Sequence, residues 1–87
     1  MAWKIELSRE AEKALAKLGA EAARRIAKGL RDIAALDSPR QRGEAMTGNH
    51  TGHWRYRFGD YRVIARIEDG RLVILVIAVG HRREIYR

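Results

Sequence analysis

Residues 54–79, WRYRFGDYRVIARIEDGRLVILVIAV, decide the fold, because they hold three strand-like segments separated by two short turns. The segments are residues 54–58, 61–67 and 72–79, and the turns are Gly59-Asp60 and Asp69-Gly70. Asp-Gly is a strong hairpin signal, since both positions tolerate positive φ. The third segment is apolar throughout, which is typical of a central strand covered on both faces. These residues therefore predict an antiparallel meander of three strands.

Side chains alternate between the two faces of a strand, and in this meander the alternation separates aromatic from basic residues. In the first strand, one face carries Trp54, Tyr56 and Phe58, and the opposite face carries Arg55 and Arg57. We expect the aromatic face to pack inward and the arginine face to meet an anion.

The second strand continues this division. Val63, Ala65 and Ile67 fall on the Tyr61 face, and the opposite face holds Arg62, Ile64 and Arg66. Since like charges on neighbouring strands repel, we predict that Arg55, Arg57 and Arg62 hold an anion such as a phosphodiester between them. The alternative is that they extend into solvent or pair with Asp60, Glu68 or Glu84.

The N-terminal half of the chain predicts one strand and two helices. Trp3, Ile5 and Leu7 alternate with polar residues, which is the pattern of a half-buried strand. Ser8 is suited to cap a short helix that Gly19 ends. Apolar residues at helical spacing between positions 23 and 34 then predict a longer helix, and the polar, glycine-containing residues 39–53 predict an irregular loop.

The predicted fold is a single α+β domain over residues 1–87. An N-terminal strand and a helical hairpin pack on one face of a four-stranded antiparallel sheet. A chain of 87 residues has room for one domain with a limited core. The other face of the sheet is left to the arginines.

The composition favours a polyanionic partner. Lys and Arg number 18 against 11 Asp and Glu, which gives a formal charge of +7. Residues 53–87 contain 8 Arg and no Lys, and the planar guanidinium matches the geometry of a phosphate better than an ammonium does. The alternative is a basic surface that serves solubility alone.

Several classes of protein and site are excluded or unsupported. The chain has no Cys, which excludes disulfides and thiolate metal sites. Its start lacks the apolar stretch of a signal peptide, and its longest apolar run is far shorter than the roughly 20 residues of a membrane-spanning helix, so we expect a cytoplasmic protein. Glycine-rich phosphate loops, nucleophile elbows and carboxylate pairs near the arginines are also missing from the sequence.

Residues 80–87, GHRREIYR, follow the central strand and contain the candidate groups for proton transfer. Tyr86 is the candidate general base, because nearby guanidinium groups favour the phenolate. His81 is a second candidate acid or base, since imidazole titrates near neutral pH. The alternative for Tyr86 is a terminal side chain laid on the sheet. His50, His53 and His81 lack the spacing of a metal motif, so no metal and no cofactor are predicted.

Two motifs carry a resemblance to a known family: residues 52–64, GHWRYRFGDYRVI, and residues 79–87, VGHRREIYR. With the helical hairpin before them, they resemble the RelE/ParE superfamily of bacterial toxins, and its RelE branch in particular. The resemblance implies a RelE-like fold and an endoribonuclease that cuts messenger RNA in the ribosomal A site and so inhibits translation. It also implies a RelB-like antitoxin that binds the toxin in a hetero-oligomer and holds it inactive.

The resemblance assigns roles by position. The implied catalytic residues are Tyr86, Arg82, Arg62, Arg55 and Arg57. The residues then predicted to bind RNA are Arg55, Arg57, Arg62, Arg66 and Arg83. RelE proteins often have lysines at positions 55 and 57, and arginine there stabilises charge without shuttling protons. Proton transfer is therefore left to Tyr86 as base, with His81 or Arg82 as the acid.

Two other functions remain open at this point. Members of the ParE branch resemble this fold and poison DNA gyrase by binding it, without cutting RNA. A plain nucleic-acid-binding module would use the same arginines to hold RNA with a steep salt dependence and would not cut it.

Overall fold

A computed structural model describes residues 3–81, apart from the side chain of His50. The helices and strands, in chain order, are β1 (Lys4–Leu7), α1 (Arg9–Leu18), α2 (Ala20–Ala34), β2 (Glu44–Ala45), β3 (Trp54–Phe58), β4 (Tyr61–Glu68) and β5 (Val73–His81). Short 3₁₀ turns lie at Pro39–Gln41 and Gly48–His50. The predicted α+β class and the predicted order of strand, helical hairpin and meander are confirmed.

The sheet differs in detail from the prediction, because it is mixed and five-stranded in the order β1-β5-β4-β3-β2. β1 pairs in parallel with β5, so that Lys4 lies beside Val73 and Leu7 beside Val76. The helical hairpin provides the long crossover that a parallel pair requires. The fifth strand, β2, lies within the predicted loop and pairs Glu44 with Arg55. The prediction of a four-stranded antiparallel sheet was therefore wrong in the number of strands and in the direction of β1.

The helical hairpin covers one face of this sheet. Ser8 caps α1 by accepting a hydrogen bond from the backbone N–H of Ala11 at 3.1 Å, as its position predicts. Gly19 alone connects the two helices. The core between the layers consists of Ala11, Ile26, Leu30, Ile33 and Ala34 from the helices and Tyr56, Val63, Ala65, Ile74, Val76 and Val79 from the sheet. The residues predicted to lie on the Tyr56 face thus pack inward against α1 and α2, and the arginine face is turned away from the two helices.

The β4–β5 connection is longer than the predicted two-residue turn. It spans residues 69–72. The backbone N–H groups of Arg71 and Leu72 donate to the backbone carbonyl oxygens of Glu68 and Asp69, respectively, both at 3.2 Å. Leu72, and not Gly70, takes the positive φ, at 54°. Arg40 ties this turn to the loop after α2 through two bonds to the carboxylate of Asp69, at 2.9 and 3.0 Å.

Among residues 3–81, no helix is both long and apolar enough to cross a membrane.

Candidate functional site

The centre of the basic face is a pair of arginines directly opposite each other on β3 and β4. Arg57 and Arg62 are register partners, one step from the two-residue turn that joins Phe58 to Tyr61. Side chains of directly opposed residues lie on the same face with their Cβ atoms about 4.5–5.5 Å apart. The tight turn therefore places these two arginine side chains next to each other at their Cβ atoms, on the face away from the helices.

Arg62 is the unusual member of this pair, because its side chain is buried. Only 6% of the residue is exposed, and it is the one buried charged residue of the described chain. Its Nη1 atom donates to the carbonyl oxygens of Gly59 and Tyr61, both at 3.4 Å, which is long for such bonds. None of the carboxylates in residues 3–81 forms an ion pair with it. A buried guanidinium without a counter-charge is costly, and a bound anion would remove that cost.

Arg57 is exposed beside this buried cation. Within the described part of the chain, no acidic side chain pairs with it. An anion from solvent therefore has direct access to Arg57 and is also attracted by the charge of the buried Arg62 beside it.

Arg55 shares the face of Arg57 but has a partner of its own. Its guanidinium forms an ion pair with the carboxylate of Glu44 on β2. Its register partner on β4 is Ile64, which is 2% exposed. The structure thus puts Arg55 at the flank of the Arg57–Arg62 pair, with part of its charge compensated.

Arg66 lies on the same face but at the other end of the sheet. It is four residues beyond Arg62 on β4, a distance of about 13 Å along a strand. Its Nε atom is 3.5 Å from Glu68, which also binds Arg71 at 2.5 Å, and Arg71 in turn contacts Glu6 on β1 at 2.9 Å. This chain of charges joins β1 to the β4–β5 turn, so Arg66 is not brought together with the arginine pair.

His81 lies on the opposite side of the sheet from the arginine pair. It is the register partner of Tyr61, and the two rings meet edge to face with centroids 6.1 Å apart. Tyr61 packs against the core, whereas Arg62, the next residue, points to the other face. The His81 ring is therefore on the side of the sheet away from Arg57 and Arg62.

The remaining predicted residues lie outside the described residues. These are Tyr86, Arg82 and Arg83, together with Glu84 as a possible acidic partner. Their roles stay predictions. For His50 only the backbone is described, and His53 is half-buried. In residues 3–81, no three acidic or histidine side chains are grouped closely enough to hold a metal ion.

Tyr56, on the other hand, is fixed in a structural role. Its hydroxyl donates to the carbonyl oxygen of Pro39 at 2.6 Å, and the residue is 2% exposed. Burial raises the pKa of its phenol to about 12, against a smaller opposing effect of Arg40. The phenol is therefore neutral at physiological pH and holds the loop after α2 against β3.

A cavity of about 300 Å³ opens at the outer edge of β3, next to the arginine pair. Arg42, Gly43 and Glu44 form one side, and β3 forms the other. Arg42 is exposed and has no acidic partner in the described part of the chain. No local pattern predicted the position of Arg42, because this residue lies in a polar loop whose path depends on contacts with β3.

Gly43 explains how that loop comes so close to the strand. A Cβ atom at this position would lie 2.4 Å from the carbonyl oxygen of Arg55 and 2.6 Å from Nε1 of Trp54. Its φ of 78° is also one that other residues rarely adopt. The Nε1 atom of Trp54 donates to the carbonyl oxygen of Arg42 at 2.6 Å, so the backbone of Arg42 is held firmly at the cavity edge.

Solved structures of toxin–antitoxin proteins are similar to this chain. A mutant of the E. coli toxin RelE in the free state is 26% identical, with a TM-score of 0.79, and the match covers 99% of this chain and 92% of that one. A chain of the archaeal RelE–RelB complex from Pyrococcus horikoshii is 25% identical, with a TM-score of 0.72, over 97% and 99% of the two chains. A chain of the RelBE2 toxin–antitoxin complex from Mycobacterium tuberculosis has the same fold. It is 24% identical, with a TM-score of 0.73, and the match covers 97% of this chain and 95% of that one.

Sequence comparison points in the same direction. The comparison with curated protein sequences finds no significant match. The model of the family described as ParE toxin of type II toxin-antitoxin system, parDE, matches residues 5–86. The predicted membership of the superfamily is thereby confirmed. Since the match spans nearly the whole sequence, this chain belongs to the ParE toxin family of type II toxin–antitoxin systems, within the RelE/ParE superfamily.

Proposed function

We propose that this toxin is an endoribonuclease that cuts messenger RNA in the ribosomal A site. The observation that carries the proposal is the Arg57–Arg62 pair. One guanidinium is buried without an acidic partner among residues 3–81, and the other is exposed directly beside it. Two fixed cations on one face fit the phosphodiester of an RNA backbone, to which guanidinium groups bind with matching planar geometry. The partial identity to RelE toxins supports the same activity.

The proposed reaction is attack of a ribose 2′-oxygen on the adjacent phosphorus. Tyr86 takes the proton of the 2′-hydroxyl, the new O2′–P bond forms and the P–O5′ bond breaks. The products are a 2′,3′-cyclic phosphate and a 5′-hydroxyl. Arg57 and Arg62 stabilise the additional negative charge of the transition state, because they are already in place when that charge develops.

The leaving 5′-oxygen takes up a proton as it departs. Arginine is a poor source, since its guanidinium hardly gives up a proton at neutral pH. His81 packs against Tyr61 on the far side of the sheet from the arginine pair. We therefore assign this proton to water in the substrate complex and not to His81 or Arg82.

The chain contributes few catalytic groups, so the substrate complex has to position the scissile bond. This requirement accounts for dependence on the ribosome: a bound codon presents one phosphodiester in a fixed geometry, and positioning of this kind is a large part of catalysis. The charge of +7 favours docking on ribosomal RNA. We place this activity in the cytoplasm, where ribosomes translate.

An antitoxin is the proposed partner in the cell. Complexes of RelE with RelB from P. horikoshii and E. coli and the RelBE2 complex of M. tuberculosis contain chains that match more than nine-tenths of this one. We propose that a RelB-like protein with acidic character binds the basic face in a hetero-oligomer and blocks access of RNA to Arg57 and Arg62.

A translating extract tests the activity. Addition of the purified toxin is expected to produce messages cut within the codon that occupies the A site, with a 2′,3′-cyclic phosphate on the upstream fragment and a 5′-hydroxyl on the downstream one. Metal-dependent hydrolysis leaves other ends, with a 5′-phosphate on the downstream fragment in the common two-metal mechanism. Intact messages, or fragments ending in that way, would contradict the proposal.

The second candidate function is inhibition of DNA gyrase without RNA cleavage. The specific observation in its favour is the family match, which is to the model of the ParE toxins. The same purified protein added to gyrase and supercoiled DNA distinguishes the two functions. DNA breaks that depend on gyrase, together with intact messages in the extract, would select this candidate.

A further inference from the structure

We propose that the cavity at the outer edge of β3 binds the base of a nucleotide whose phosphate contacts the Arg57–Arg62 pair. This subsite rests on the proposed function, because it defines which nucleotide the toxin prefers beside the cut. It uses Arg42, Arg57 and Phe58, of which Arg42 and Phe58 have no role in the reaction described above.

The first support is an open stretch of strand edge. β2 begins at Glu44, opposite Arg55, so within residues 3–81 no strand covers the edge of β3 at Arg57. The backbone N–H of Met46 donates to His53 at 3.0 Å, which identifies residues 53, 55 and 57 as those whose backbone groups face this edge. Arg57 therefore presents an adjacent N–H and C=O to the cavity.

A donor and an acceptor side by side are what the edge of a nucleobase requires. Each base carries neighbouring donor and acceptor groups on its pairing edge, and single-stranded RNA is commonly read by hydrogen bonds to those groups. The pairing of β3 with β4 uses the backbone groups of residues 54, 56 and 58, and no other described residue forms a backbone hydrogen bond with the outward-facing groups of Arg57. A base at this position would satisfy both.

The second support is the composition of the walls. Phe58 is half-buried and provides the accessible apolar wall, with the buried Ile33 and Tyr56 behind it. Arg42, Arg55 and Arg57 with Glu44 give the lining a formal charge of +2. The ion pair of Arg55 with Glu44 leaves Arg42 and Arg57 as the cations to which an anion is drawn. An apolar wall beside cations is the usual composition of a site that binds single-stranded RNA.

The size of the cavity suits a single nucleotide. Its volume of about 300 Å³ is at the lower end of the roughly 300–1,000 Å³ of small-molecule sites. Arg57 connects the two parts of the site, since its backbone faces the cavity and its side chain lies with Arg62 on the basic face. A nucleotide can therefore place its base at the edge and its phosphate on the face.

Nuclear magnetic resonance tests the cavity without relying on cleavage. Each of the four nucleoside 5′-monophosphates, and inorganic phosphate as a reference, is titrated into the labelled protein. We expect at least one nucleotide to shift the amide signals of Gly43, Arg57 and Phe58 and to bind at least tenfold more tightly than inorganic phosphate. The variant Arg42→Ala should weaken that binding about tenfold, whereas the matched variant Arg24→Ala, an exposed arginine of α2 that does not line the cavity, should leave it unchanged.

The outcomes separate this proposal from the proposed function. If all nucleotides bind no better than phosphate, or shift amides elsewhere, the base subsite is refuted even when the toxin cuts messages in the extract. If a nucleotide binds in the cavity while messages stay intact, the subsite stands and the nuclease proposal falls. If a nucleotide binds in the cavity and the toxin also cuts messages, Arg42→Ala should reduce the preference for particular bases next to the cut. An equal loss of cleavage at all sites would overturn the assignment of the cavity to a base.

Discussion

Replacing Arg62 with methionine is expected to make the domain more stable and to abolish its activity. The side chain is 6% exposed, forms no ion pair with the described residues and lies directly opposite Arg57. Arg62→Met keeps much of the apolar stem and removes the guanidinium, with its charge and its two long hydrogen bonds. Opposite effects on stability and activity are the mark of a residue kept for binding an anion.

The size of the stability gain follows from the contacts of Arg62. The effective penalty for burying one unpaired cation is several kcal/mol, and relief of the cross-strand repulsion from Arg57 adds about 0.2–1 kcal/mol. Loss of the two bonds to Gly59 and Tyr61, both 3.4 Å long, removes roughly 1 kcal/mol in total. We expect a net stabilisation of about 2–4 kcal/mol, with Tm rising by about 4–8 °C for each kcal/mol in a domain of this size.

Urea denaturation followed by circular dichroism measures the free energy of unfolding for wild type and variant. Arg66→Met is the matched control, because Arg66 is on the same strand and face but is exposed and paired with Glu68. Its substitution should change stability by no more than about 0.5 kcal/mol. Both variants are then assayed for message cleavage in the translating extract.

The reasoning is refuted if Arg62→Met destabilises the domain by more than about 1 kcal/mol. In that case the guanidinium serves the fold, and its burial carries no information about a ligand. Retained cleavage by a stabilised Arg62→Met protein would refute the functional half alone.

Further changes test other parts of the structure. Gly29→Ala should lower the free energy of unfolding measured in urea by about 1 kcal/mol, because the new Cβ would lie 2.4 Å from ring carbons of Phe58. This clash should outweigh the higher helix propensity of alanine. In a Phe58→Leu background the same change should become neutral or stabilising. Tyr86→Phe should remove most message cleavage and leave the urea midpoint unchanged, and full cleavage by this variant would exclude the phenol as base. The hydrogen bond from Arg40 lowers the pKa of Asp69, so this pair stabilises the fold above the ordinary carboxyl pKa, and the stabilisation disappears as pH falls through the lowered value. Asp69→Asn should therefore lower stability at pH 7 and have a smaller effect as pH falls toward 2, and an equal loss at both values would show that charge is not involved.

Local sequence patterns account for most of the fold. The alternation in residues 54–58 and 61–67 identified which side chains pack against the helices, because a strand has only two faces. Ser8 was recognisable as a helix cap from its place between the strand and helix patterns. These features depend on residues close together in the chain, so they can be read without knowledge of the partner elements.

The parts that could not be predicted depend on distant contacts. Nothing in residues 44–45 marks a strand, and β2 forms because Gly43 fits against the carbonyl of Arg55 while Trp54 holds the backbone of Arg42. The sequence also does not indicate that β1 pairs in parallel with β5, because an alternating segment does not specify which strand lies beside it.

The candidate site shows the same limit. Alternation and a two-residue turn were sufficient to place Arg57 and Arg62 on one face. Burial of Arg62 and the position of Arg42 at the cavity depend on how the whole chain packs, and no local signal reports either.

The most direct test of the account is the rate at which ribosomes programmed with a single A-site codon lose their intact message. It is measured for wild type, Arg57→Ala, Arg62→Met and the double variant. If both arginines stabilise the same phosphate, each single change should lower the rate by roughly 100-fold or more, and the double change should lower it by less than the product of the two losses. Folded variants that cut at the wild-type rate would contradict the claim that this pair binds the scissile phosphate.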